Sequence, residues 1–280
     1  MNYYCYHTHS KFCDGASSLR EMTEAAKANG VKKLGFSAHS PIPFENSWSL
    51  KMENFQSYTS EIEQLKKDFK GQIDLFAGME ADYTPGLSYS FDYLRKLGKL
   101  DFLIGSVHLV KGIENDQIWF IDGPSINYEL GLESVFHGDI RTAVGAYFSQ
   151  IQEMISTQNI DIIGHVDKIK MHNRNRYFSE EDEWYVSHVD KTIGLIRQSG
   201  AVVEVNTRGI YKGRSDSLFP GVKWLERFNH YGIPVTISTD AHHTSEILKG
   251  YDEAVLFLKE IGFKKIYFFD NFKWEECSLQ

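Results

Sequence analysis

Cysteine is scarce in this 280-residue chain. Cys5, Cys13 and Cys277 are three in number and show no C-x-x-C spacing. That pattern excludes a disulfide framework and a zinc ribbon, and it fits a reducing cytoplasm. Positive charge is not in excess either: 30 Lys and Arg stand against 38 Asp and Glu, a formal net charge of -8. A nucleic-acid or membrane-surface binder would carry a basic patch, so neither partner is expected. A small anionic substrate remains compatible, because metals or a few local cations outweigh the global charge. No run approaches the ~18 apolar residues of a membrane span. No basic segment followed by an apolar one opens the chain, so no signal peptide is expected and the location expected is cytoplasmic. Gly-rich phosphate loops and a G-x-S-x-G elbow are also missing. Cys13 lacks a phosphate-cradling loop, so no covalent phosphoenzyme is expected. With 6 prolines, no repeat and no linker, the sequence reads as one domain over residues 1–280.

What is present is an alternation of short β-rich runs with helical patterns. The first run ends near His7. Ser18 and Glu21 then stand in capping-box positions before Leu19, Met22, Ala25 and Ala26, with Gly30 as the stop. Strands are expected at Lys32–Ser37, Ile73–Glu80, Asp101–His108, Ile160–His165, Ala201–Asn206 and Pro234–Thr239. Helices are expected through Phe55, Tyr58, Ile62, Leu65 and Phe69, over Asp139–Gln158, from a Ser179 cap to Ser199, over Val222–Gly232, and near Ser245–Ile261. The terminal KKIYFF reads as an eighth, non-equivalent strand, and Leu109–Gly138 as one long irregular insertion. Seven strand–helix units with apolar strands predict a parallel sheet covered on both faces, here an α/β barrel.

Histidines and acids fall at the ends of these strands. His7 and His9 follow the first, His39 the second, His108 the fourth and His165 the fifth; His242 lies past the seventh. Glu80 ends the third strand, Asp240 follows the seventh, and Asp14 lies in the first loop. In a parallel barrel these ends converge on one face. Grouped there without a cation, they would stay unpaired at a cost of several kcal/mol. The nine form a candidate metal cluster. They exceed what one ion can use, so two or three divalent ions are implied, and the ligand types suit Zn, Mn or Fe. Glu80, central in strand order, is the natural bridging carboxylate. Such multi-metal sites clamp the attacking and leaving oxygens of a phosphoryl group.

The motifs HTHS, FSAHSP, GME, SVH, IGHVDKIK, EVNTRG and STDAHH occur in this order. The series resembles that of the PHP (polymerase and histidinol phosphatase) superfamily, most closely its histidinol-phosphate phosphatases. The resemblance implies a distorted (β/α)7 TIM-like barrel with a trinuclear metal site. Carried over by motif, one ion takes His7, His9, Glu80 and Asp240, and a second His39, His242 and Asp14. The third takes Glu80, His108 and His165. Many relatives carry a histidine where Asp14 stands; a carboxylate can replace it as a ligand, and an aspartate before Gly15 also suits a plain turn.

The activity expected is hydrolysis of a phosphomonoester, L-histidinol phosphate to L-histidinol and phosphate, by a metal-bridging hydroxide with Glu80 and Asp240 as catalytic residues. Arg208, Lys168, Lys170 and Lys212, with His243, are the expected substrate contacts, and Arg214 is a further cation near a strand end. The insertion offers Glu114, Asp116 and Asp122 for the substrate ammonium, while Trp119 and Phe120 are expected to anchor the loop in the core. The alternatives are a PHP phosphatase or phosphodiesterase on another substrate, or an amidohydrolase-like metallohydrolase. The last usually bridges its metals with a lysine carbamate on strand four, where this chain has His108.

Overall fold

The computed structural model describes residues 2–113, 116–270 and 273–279. Eleven strands are described: β1 (Tyr3–Cys5), β2 (Val31–His39), β3 (Asp74–Asp82), β4 (Phe102–Ser106), β5 (Leu109–Lys111), β6 (Ile118–Phe120), β7 (Ile162–Ile163), β8 (Val202–Asn206), β9 (Val235–Ser238), β10 (Lys265–Asp270) and β11 (Lys273–Ser278). Seven of them form one parallel sheet in the order β1-β2-β3-β4-β7-β8-β9. The sheet closes just past its first and last strands. Thr8 bridges Ala241, and the His9 N–H donates to the Ala241 carbonyl at 2.8 Å. The result is the expected distorted (β/α)7 TIM-like barrel. β7 is only two residues long, so the wall is thin there.

Helices cover the outside: α1 (Leu19–Ala28), α2 (Phe55–Asp68), α3 (Phe91–Gly98), α4 (Ser125–Phe136), α5 (Ile140–Thr157), α6 (Glu183–Ser199), α7 (Arg208–Tyr211), α8 (Val222–Tyr231) and α9 (Tyr251–Ile261). α1 starts as its sequence predicts, with Ser18 and Glu21 closing both bonds of a capping box. α6 starts later than predicted. Asp182 is its N-cap, while the Ser179 hydroxyl accepts from Glu181 N–H in the preceding turn. The helix expected from Ser245 is a short 3-10 turn, Thr244–Glu246, followed by α9.

Two segments differ from their expectation. In its described residues the insertion holds regular structure: β5 and β6 pair antiparallel, and α4 packs behind them through Trp119, Tyr128 and Phe136. The terminal run, β10, pairs antiparallel with β11 and does not join the barrel ladder. Instead this hairpin plugs one end of the barrel. Phe269 and Trp274 pack against Tyr6, Phe76 and Phe102, and the Tyr6 hydroxyl donates to Phe269 O at 3.1 Å and accepts from its N–H at 2.8 Å.

The barrel interior changes character along the strands. Near the hairpin it is apolar, and Phe102 fills it because β2 and β3 present glycine: a Cβ on Gly78 would lie 2.2 Å from the Phe102 ring, and one on Gly35 2.6 Å. Gly78→Ala is therefore expected to cost about 2–3 kcal/mol of stability by overpacking, read as a lower denaturant midpoint with an unchanged slope. Phe102→Leu should relieve much of that loss in the double variant. Beyond Gly78, the same face of β3 carries Glu80 and Asp82.

Candidate metal centre and active site

β1 stops at Cys5, and His7 and His9 flank the bridge residue Thr8 just beyond it. Both imidazoles are fully buried. His39 ends β2, Glu80 lies near the end of β3, and His108, His165, Asp240 and His242 follow β4, β7 and β9. The barrel thus gathers all nine candidate ligands at one mouth.

Four donor atoms face one another most closely. His7 Nε2 lies 3.1 Å from Glu80 Oε2 and 3.8 Å from Asp240 Oδ1; His9 Nε2 lies 3.4 Å from each. A tetrahedral shell with bonds of about 2.0–2.1 Å spaces its ligands by about 3.3 Å. Moreover, His7 Nε2, His9 Nε2 and Glu80 Oε2 are buried and make no hydrogen bond. Buried polar atoms are ordinarily paired, so these three aim at a shared centre that a divalent ion fits. A second group surrounds Asp14 Oδ1, with His242 Nε2 at 3.2 Å and His39 Nε2 and His9 Nδ1 each at 3.8 Å. Around the other oxygen of Glu80, His165 Nε2 stands at 2.9 Å and His108 Nε2 at 3.6 Å.

The charges are mutually adjusted. Burial opposes ionisation of Glu80, yet His7, His39 and His108 hold its carboxyl well below the usual range. Asp240 is likewise held low despite burial, by His7 and Arg208. Burial works against a charged His7, but Glu204, Glu80 and Asp240 raise it well above an ordinary imidazole. His9, buried beside His242 and His39, is pushed well below. Asp240 also holds a left-handed backbone, φ 51°, uncommon for a residue with a Cβ. The Arg208 guanidinium donates to its carbonyl at 2.7 Å and keeps it there.

Residues 6–208 match the family model described as "PHP domain". The chain belongs to the PHP domain family. A protein named probable histidinol-phosphatase from Deinococcus radiodurans is 25% identical over 94% of this chain and 95% of its own length. Histidinol-phosphatase of Bacillus subtilis is 24% identical over 88% of this chain and 96% of its own. In structure, histidinol phosphate phosphatase from Lactococcus lactis, solved with zinc, L-histidinol and phosphate, superposes with a TM-score of 0.71 at 20% identity, covering 98% of this chain and 99% of that one. That likeness confirms the barrel.

In this PHP barrel a cavity of about 270 Å³ opens over the cluster, walled by Asp14, His39, His108, Asp240 and His242 on the ligand side. Lys168, Arg208 and Arg214 supply three cations. Lys168 Nζ lies 2.7 Å from Asp122 Oδ2 and 3.1 Å from His108 Nε2, and Arg214 Nη1 lies 3.0 Å from Asp122 Oδ1. Asp122 is thus engaged by two cations, which argues against it as the ammonium acceptor. Asp116 is exposed and pairs with Lys111; Glu114 lies outside the described residues.

The other expected substrate contacts lie elsewhere. Lys170 is buried beneath the loop after β7, 2.7 Å from Asp167, where its charge is neutralised. Lys212 pairs with Glu246 away from the cavity. His243 is exposed, and its ring caps the 3-10 turn by accepting from Ser245 N–H. Trp119 anchors the insertion as expected, with its Nε1–H donating to Tyr128 O. Phe120 does not; it lines the cavity and stacks on Trp48, rings 5.5 Å apart and 12° from parallel.

Sequence reading passed over two buried acids. Asp82 lies 2.6 Å from His108 Nδ1, and Glu204 lies 2.5 Å from His7 Nδ1. Their signal was spacing. Glu80 and Asp82, and Glu204 and Asn206, stand at i and i+2 on a strand and so share a face, the same spacing that His7 and His9 show beyond β1.

Proposed function

We propose that this chain is a metal-dependent phosphatase that converts L-histidinol phosphate to L-histidinol and phosphate, its residues 1–280 acting as one unit. The observation that carries the proposal is the juxtaposition of nine metal-type donors and three cations around one small cavity. The names of the relatives support the substrate. The barrel's last turn supports the single unit, because Asp240 and His242 lie beyond residue 208, where the family match ends.

In this reading His7, His9, Glu80 and Asp240 hold one ion. Asp14, His39 and His242 hold a second, and Glu80, His108 and His165 a third, with Glu80 shared. Bound divalent ions supply positive charge to phosphoryl oxygens and make water acidic enough to attack near neutral pH. Lys168, Arg208 and Arg214 orient the phosphate and balance charge as it builds on oxygen. Trp48 and Phe120 form a flat aromatic wall suited to stacking an imidazole ring. Buried against Asp240, Arg208 also fixes the backbone that presents this carboxylate.

The test is phosphate release from L-histidinol phosphate by metal-reconstituted protein, beside a generic phosphomonoester. A strong preference for the former is expected. Equal, slow hydrolysis of both would retain the metallophosphatase and discard the substrate. Arg208→Ala should lower kcat/KM about 10–100-fold, the worth of one charge-assisted contact. An unchanged KM and kcat would remove Arg208 from the site.

A further inference from the structure

We infer that Asp82 and Glu204 are positioning residues: each fixes the imidazole of one ligand, and Glu204 also ties together ligands of two different ions, so that those two sites load interdependently. The inference rests on the ligand assignment proposed above. It concerns two carboxylates that stand behind the ligands and do not face the cavity.

Glu204 is fully buried on β8, and both of its oxygens are engaged. Oε1 meets His7 Nδ1 at 2.5 Å and accepts from the Ser238 hydroxyl; Oε2 accepts from His165 N–H at 2.8 Å and Asn206 Nδ2 at 3.1 Å. A carboxylate so occupied has no lone pair to spare for a metal. What it can do is fix His7. With Nδ1–H held by Glu204, the lone pair of Nε2 faces Glu80 and Asp240. Through its other oxygen it pins the backbone of His165, which belongs to another ion. Asn206 extends the link, donating also to Asp240 Oδ2 at 3.2 Å.

Asp82 does the same for one imidazole. Oδ1 takes His108 Nδ1 at 2.6 Å and the His108 N–H at 3.3 Å, so His108 turns Nε2 to Glu80, 3.6 Å away. Oδ2 lies 3.5 Å from His39 Nδ1 without a hydrogen bond, and that nitrogen is nearer Glu80, at 3.1 Å. The Ser40 hydroxyl accepts from Asp82 N–H at 3.1 Å, so the acid's backbone is tied to the residue after His39. Asp82 thus orients a ligand of the third ion, as Glu204 orients one of the first.

The experiment is equilibrium dialysis of full-length wild type, Asp82→Asn and Glu204→Gln against buffered free Zn²⁺, counting bound zinc per chain, with thermal midpoints of the stripped proteins. Glu204→Gln should weaken the ions held by His7 and His165, and Asp82→Asn the ion held by His108, each about 10–100-fold. Stripped midpoints will fall, because each acid is buried and hydrogen-bonded; the inference is read from the zinc isotherm, which a merely structural role would leave alone in the folded chain. Variant isotherms that superpose on wild type would overturn the inference while leaving the metal centre standing. A wild type that binds no zinc would overturn both. Should an amide variant fail to fold, Glu204→Asp and Asp82→Glu, which keep the charge and change the reach, are judged by the same isotherms.

Discussion

Glu80→Gln should lower phosphate release by about 10³–10⁴-fold, equivalent to about 4–5 kcal/mol of transition-state stabilisation. The size follows from position. Glu80 is buried, and five imidazoles surround its two oxygens: His165 at 2.9 Å, His7 and His39 at 3.1 Å, His9 at 3.4 Å and His108 at 3.6 Å. An amide removes the negative charge shared among them and can turn an N–H toward nitrogens whose lone pairs are needed for metal. Zinc content should therefore fall by at least one ion per chain along with activity. Activity lost at full metal content would count against Glu80 as the shared ligand, and activity retained would remove it from the site.

Stripping the ions with a chelator is expected to abolish turnover and lower the thermal midpoint by at least about 10 °C, the worth of a single site, with zinc restoring both. Ligand binding to the folded state at about a thousand times Kd adds about 4 kcal/mol per site, and about 2–4 °C accompanies each kcal/mol in a chain approaching this size. The stripped protein should also acquire a pH dependence. Burial opposes charge on His39, but Glu80, Asp82 and Asp14 raise it from 6.5 to about 9. A raised folded value means the bound proton stabilises the fold fully below about 6.5, and that contribution is lost as pH rises through about 9. The metal-free midpoint should fall across that window, whereas ions occupying the cluster flatten the curve. A midpoint indifferent to chelator would contradict the metal centre.

The barrel was legible because most of its strands are largely apolar up to their ends and the longer covering helices keep their period, as in β3 and α2. The ligands were legible because their chemistry is conspicuous at strand ends. Lys170 and Lys212 misled because a cation beside a strand end looks the same whether it faces a cavity or a buried acid; Asp167, buried three residues from Lys170, and Glu246, 34 positions from Lys212, decide that. Trp48 was invisible as a wall residue, since its stack on Phe120 joins a loop to β6, 72 positions away. β10 was legible as a strand not equivalent to the seven, but not as a stopper, because its apolar residues suit either a ladder or a plug.

That stopper has a kinetic consequence. With Phe269, Trp274 and Tyr6 sealing the far end, traffic through the barrel is one-way in and the same way out. Whatever binds deepest leaves last. For a phosphate ester whose phosphoryl group sits on the ligand cluster, the alcohol departs first and phosphate second, which makes inorganic phosphate the product that competes with incoming substrate.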